Sequence, residues 1–179
     1  MRGWLGQWKG RVSVVAKVVE NYVEVSATPA AVWDRVVDPE GINHEMWPWM
    51  TMTMPAGADG LTVETIPLGK PLGRAWLRLF GLIPFDYDYL TIVEMEPGKR
   101  FLERSTMLNM RRWEHERTLT PVPGGTRVHD WVILEPRLPV PGMAAILATL
   151  VEAFFKHRQR RLRLHFTSRE TDSRERPTR

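Results

Sequence analysis

Only one segment of this 179-residue chain can form a long helix, and it lies near the C-terminal end. In "PGMAAILATLVEAFFKHRQRRLRLHF" (141–166), Met143, Leu147, Leu150, Val151, Phe154, Arg158 and Leu162 recur at three- and four-residue intervals. Such a helix runs about 39 Å at ~1.5 Å per residue. Everything before it is cut short by most of the fourteen prolines and thirteen glycines. A single long amphipathic helix needs one apolar surface to cover it, and short strands joined by turns supply such a surface.

The preceding order is readable. "KVVENYVEVSATP" (17–29) reads as a valine-rich strand that stops at Thr28-Pro29. Thr28-Pro29 opens a short helix, "AAVWDRVVD", with Val32, Trp33, Val36 and Val37 on its buried side. "PEGINHEM" forms a second short helix or a turn. Strands are expected at "WMTMTMP", "LTVETI", "PFDYDYLTIVEMEPG", "RFLERSTMLNM", "RRWEHERTLTP" and "TRVHDWVILEP". "PLGRAWLRLFGLIP" (71–84) breaks that rhythm. Leu72, Trp76, Leu79, Phe80 and Ile83 stand at helical spacing between two prolines, so a short helix or an apolar flap is expected there, able to act as a lid. The resulting class is α+β: a curved antiparallel sheet of six to seven strands wrapped around the long helix, with two short helices after the first strand. A bent sheet cannot press flat on one helix everywhere, so a pocket is expected between them.

Three stretches in this order also carry a resemblance. They are "VEVSATPAAVWDRVVDPEGIN", "RRWEHERTLTPVPGGTRVHDWV" and "ILATLVEAFFKHRQRRLRLHF". The chain resembles the SRPBCC or START-like helix-grip superfamily over residues 17–166. That superfamily includes pollen allergens, lipid-transfer domains and polyketide cyclases. The resemblance implies a cavity for apolar small molecules, and no single reaction. Residues 1–16 then form an N-terminal extension, and 167–179, which lack apolar periodicity, a disordered basic tail.

The strand at 111–119 is unusual because Trp113, His115, Arg117 and Leu119 share one face. A buried charge needs a partner. In the hairpin closed by Gly124-Gly125, the inward set of the next strand includes Asp130. Two registers are open, with Asp130 opposite His115 or opposite Arg117. Either gives a cluster of His115, Arg117 and Asp130 in an apolar wall. It is expected first to hold two strands in register, and second to orient a ligand or move protons.

Aromatic and aliphatic candidates for lining the pocket are Trp49, Trp76, Phe80, Phe85, Tyr87, Trp113, Leu147, Val151 and Phe154. His44 and Glu45 are placed near its mouth, on a surface turn. The sequence holds no P-loop, G-x-S-x-G or H-E-x-x-H motif, so no metal or cofactor is expected. The favoured function is a carrier or sensor of a lipid, polyketide or aromatic compound. The alternative is a cyclase- or dehydrase-like enzyme working through His115, Arg117 and Asp130.

The chain has no cysteine, which fits a reducing compartment. No uncharged run reaches the ~20 residues of a membrane span, and no signal h-region is evident. A cytoplasmic location is expected. The net charge of +4 is uneven: residues 156–179 hold nine Lys/Arg against three Asp/Glu, and the remainder is close to neutral. Helical spacing already accounts for these cations as a solvated face. Nucleic acid is therefore not an expected partner, and a weak membrane-surface contact through this end is the most that its charge implies.

Overall fold

The computed structural model describes residues 16–56, 58, 60–63, 65–138 and 140–175, with side chains as far as residue 168. The elements are β1 (Lys17–Val25), α1 (Pro29–Val37), α2 (Pro39–Met46), β2 (Met50–Met52), β3 (Gly73–Leu79), β4 (Ile83–Leu90), β5 (Ile92–Glu96), β6 (Arg100–Met107), β7 (Met110–Val122), β8 (Gly125–Pro136) and α3 (Met143–Glu175). Seven strands form one curled antiparallel path, β1-β8-β7-β6-β4-β3-β2, and β5 adds to β6 beside it. The α3 helix lies in the concave side and packs on β1, α2 and β8. This is the expected α+β helix-grip architecture.

Local chemistry explains the early elements. The Thr28 hydroxyl accepts from the Ala31 amide, and Asp38 accepts from the Gly41 amide at 2.8 Å, so each short helix starts on a side-chain cap followed by proline. Gly41 lets the second helix meet the first: a Cβ there would stand 1.8 Å from the Arg35 carbonyl oxygen. Asn43 of α2 then reaches the sheet's outer strand. Its amide donates to the Met52 carbonyl at 3.0 Å, and its oxygen accepts from the Met52 amide at 2.7 Å.

Three expectations change. Residues 71–84 are neither helix nor flap; they are all of β3, a three-residue turn (Phe80–Leu82) and the start of β4. The apparent helical spacing of Leu72, Trp76, Leu79, Phe80 and Ile83 comes from two short strands folded back at Phe80-Gly81. The described residues of 61–66 form turns and irregular chain rather than a strand. Thr62 and Thr65 bond side chain to backbone there, which competes with sheet pairing. The α3 helix also continues past 166 to Glu175, where an unstructured tail was expected; no glycine or proline interrupts the sequence between Met143 and Glu175. The N-terminal extension, apart from Ala16, lies outside the described residues.

Inside the grip are two apolar clusters. One joins Val19, Met46, Leu77, Met107, Met110, Val132, Leu134 and Phe155. The other joins Val25, Val32, Trp33, Val36, Leu119, Val128, Leu162 and Phe166. Strands β1, β7 and β8 and the α3 helix contribute to both, and between the clusters each crosses one polar level.

Candidate functional site: a polar rung between two apolar clusters

The level between the clusters is set by strand register. Asn21 of β1 lies opposite Asp130 of β8, and Asp130 opposite Arg117 of β7. His115 lies opposite Glu103 of β6. Directly opposed residues share a sheet face, so all five point at α3. On α3 the matching residues are Arg158 and Gln159, between Phe155 of one cluster and Leu162 of the other. Glu45 enters from α2. Of the two registers open from sequence, the structure has Arg117 opposite Asp130, and His115 still reaches Asp130 diagonally.

Arg117 is the centre of this rung. Its Nε donates to Asp130 Oδ1 at 2.7 Å and its Nη2 to Oδ2 at 3.2 Å, while Nη1 donates to both Glu45 oxygens at 3.1 Å. Asp130 also accepts from Gln159 Nε2 at 2.8 Å and bonds His115 Nε2 at 2.8 Å. Glu45 accepts from Arg158 Nε at 3.2 Å. Arg117 and Asp130 are each only 1% exposed. The carboxylate of Asp130 thus uses essentially its whole acceptor capacity on protein donors.

These contacts set the charges. Burial pushes Asp130 up, but the Arg117 charge and the bonds from His115 and Arg117 outweigh it and hold Asp130 far below the usual carboxylate range. Burial works against the Arg117 cation as well, and Asp130 with Glu45 raises it instead. His115 is lowered by burial, with Asp130 opposing and Arg117 adding to the lowering. An ionised Asp130 accepts only, so the neutral ring donates from Nε2 and leaves Nδ1 without a proton. That Nδ1 faces Glu103 Oε2 at 3.9 Å, beyond hydrogen-bond reach.

The opposite end of the rung is different. Asp88 of β4 and Glu103 are buried beside Ser105, and Asp88 Oδ1 and Glu103 Oε1 have no hydrogen-bond partner among the described residues. Burial, then the nearby Asp86 charge, pushes Asp88 up to about 6, against the bonds from Glu103 and Ser105. Burial and the Asp88 charge push Glu103 well above its ordinary value. One end of the rung is a saturated clasp, and the other is a buried carboxyl pair whose burial and mutual charge favour its protonated forms.

The expected lining residues separate into three places. Trp113, Leu147, Val151 and Phe154 lie together, partly buried, around Phe155 in the first cluster, with Met50 and Met52 beside them. These side chains form a partly covered apolar surface where the N-terminal half of α3 meets the sheet. Trp49 and Phe80 meet at the β3–β4 turn, their rings 6.2 Å apart. Trp76 and Tyr87 pair with each other at 5.8 Å on the outer face. Their strand neighbours Ala75, Leu77, Asp86 and Asp88 are the inward set, so Trp76 and Tyr87 cannot line the concave side. Phe85, at the register shift between β3 and β4, is exposed as well. A depression of about 280 Å³ also lies on the outer side, between Tyr89, Arg104, Thr106, Arg112 and Glu114.

Glu45 was expected on a surface turn and is instead fully buried. Arg158 carried a readable signal, because it sits within the apolar series of the helix. Asp88, Glu103 and Gln159 carried none without the strand pairing. Among the described residues no three His, Cys, Asp or Glu side chains are grouped to hold a metal ion. No described helix is long and apolar enough to cross a membrane.

Comparison with known proteins agrees with this geometry. Residues 23–166 match a family described as a domain of unknown function, DUF8410. The chain belongs to that family. No curated protein matches the DUF8410 chain. Solved structures do. A START superfamily protein from Mycobacterium smegmatis is 16% identical with a TM-score of 0.63, over 84% of this chain and 97% of that one. The Zhui aromatase/cyclase from Streptomyces sp. R1128 is 15% identical with a TM-score of 0.59, over 86% and 95%. A protein from Rhodobacter sphaeroides is 18% identical with a TM-score of 0.59, over 84% and 93%. At such identities the likeness establishes the fold alone: this chain has a START-like fold.

Proposed function

We propose that the protein binds a hydrophobic small molecule (a lipid, polyketide or aromatic compound) in a cleft between the N-terminal half of α3 and the inner sheet face. One observation carries this reading. Trp113, Leu147, Val151 and Phe154 pack against a buried core yet stay only partly covered. Apolar side chains facing inward without full burial present a surface that an apolar ligand can complete. The rung supports the reading by closing one end of the cleft with fixed charges.

The test uses the full chain and an environment-sensitive apolar dye, followed by native mass spectrometry with long-chain fatty acids and aromatic polyketides. The expected result is saturable uptake that falls about tenfold or more in Val151→Trp, because a filled cleft loses the ~1.4 kcal/mol or more that one such contact contributes. No uptake by the wild-type protein, or equal uptake by a folded Val151→Trp variant, overturns the proposal.

An enzymatic role has a narrower basis. His115, Arg117 and Asp130 spend their polar atoms on one another and on Glu45 and Gln159, which suits them to clasping elements together. The groups suited to moving a proton are Asp88 and Glu103, each with an unpartnered oxygen and a raised pKa. A cyclase- or dehydrase-like activity would therefore depend on that pair.

A further inference from the structure

The β3–β4 turn and the α2–β2 connection hold an apolar surface that the proposed cleft does not use. Leu82 is 81% exposed, Ile83 59%, Trp49 53%, Phe80 50% and Trp47 47%. They form one continuous patch. Trp49 stacks near Phe80, a Cβ on Gly81 would lie 3.4 Å from the Trp47 ring, and Leu79 pairs with both Met50 and Ile83. Soluble monomers rarely leave so much contiguous apolar surface in water, and such patches mark interaction sites.

The patch is a projecting tip. Its turn is the short Phe80–Leu82 connection, with the Leu82 amide donating to the Leu79 carbonyl at 2.9 Å. Phe80 and Gly81 both have positive φ, 51° and 73°. This turn favours asparagine and glycine, and a phenylalanine at the first position carries backbone strain. The strain places an aromatic ring half in solvent, where it gains little packing in return. Strain kept for an outward-facing ring points to a function outside the fold.

Charge decides the partner. From residue 65 to 85 the chain has Lys70, Arg74 and Arg78 and no acid. All three are exposed. The next acid, Asp86, is buried and accepts from the Leu108 amide and Asn109. Aliphatic and phenyl groups lie at the point, tryptophans beside it and cations behind it. That is the order of chemistries across a bilayer interface with anionic headgroups. We propose that the β3–β4 tip docks the protein on an anionic lipid bilayer, with Phe80, Leu82 and Ile83 entering the interface and Arg78 meeting headgroups. This docking does not depend on the ligand cleft.

Vesicle co-sedimentation of the full chain tests it, using phosphatidylcholine with and without phosphatidylglycerol. The wild-type protein should sediment with the anionic vesicles. The double variant Leu82→Asp/Ile83→Asp should bind about tenfold more weakly or worse, since each lost apolar burial is worth about that factor. Arg78→Glu should weaken binding to the phosphatidylglycerol vesicles, and added salt should mimic it. Phe80→Asn should relieve the turn, raising the melting temperature while lowering vesicle affinity; a merely structural Phe80 would not separate those two readouts. Three results overturn the proposal: no binding by the wild-type protein, binding unchanged in the double variant, or self-association in solution that the double variant abolishes. The last would assign the patch to a second copy of the chain.

Discussion

Asp88 and Glu103 show how little of a residue's chemistry its own neighbours in sequence reveal. Both sit in strands that look ordinary, "PFDYDYL" and "RFLERSTM". Their inward direction follows only from β4 pairing with β6, where Asp88 lies opposite Met107. Because their folded-state pKa values are raised, the native state holds protons that the unfolded chain releases. Stability from that linkage is full below the ordinary carboxylate range and is lost as pH rises through about 6 for Asp88, with Glu103 following at higher pH. Glu103→Gln should therefore stabilise the protein at pH 8, because the neutral amide removes a buried charge that the native state must otherwise carry or neutralise. The gain should fade toward pH 4 in denaturant titrations. A variant less stable at pH 8 would mean that the pair is held by a cation. His115, Arg117 and Asp130 were legible earlier because they share one hairpin, and alternation within a hairpin needs no knowledge of distant strands. Trp76 and Tyr87 were misplaced for the converse reason: their facing depends on where the β3–β4 turn falls.

Elements were legible where a period persisted. The α3 stripe was clear, including the inward Arg158, although Leu150 at the same spacing is exposed. The helical reading of 71–84 failed because fourteen residues holding a turn can imitate a 3.6-residue period by chance. What the element pattern could not show is how α2, β7, β8 and α3 are tied. Arg117 joins β7 to β8 through Asp130 and to α2 through Glu45, and Glu45 passes the link to α3 through Arg158. Arg117→Met leaves two buried carboxylates short of their main partner. The expected cost is about 3–5 kcal/mol, as for other broken buried pairs, read from chemical denaturation. A loss under about 1 kcal/mol would mean that water reaches the rung and replaces the guanidinium.

At the scale of the molecule, the grip is held by two apolar clusters and one charged level, and the cluster near the N-terminal half of α3 carries the partly covered Trp113, Leu147, Val151 and Phe154. A ligand that enters there binds the folded state alone. A saturating apolar ligand at about 100 times its Kd should add about 2.7 kcal/mol of stability, seen as a rise in melting temperature that follows ligand concentration. An unchanged melting temperature would place any bound dye on the surface. The fold class was legible from element order because few architectures accommodate one long helix after many short strands. The cleft's extent was not, since it depends on how far β2 and the β3–β4 hairpin curl toward α3.

The two hydrogen bonds between Asn43 and Met52 carry a consequence for how the molecule behaves in a crowd. A side-chain amide occupies the donor and acceptor that a neighbouring polypeptide would otherwise seek on β2. That part of the rim is taken, so an incoming strand would meet fewer free backbone groups on β2 there.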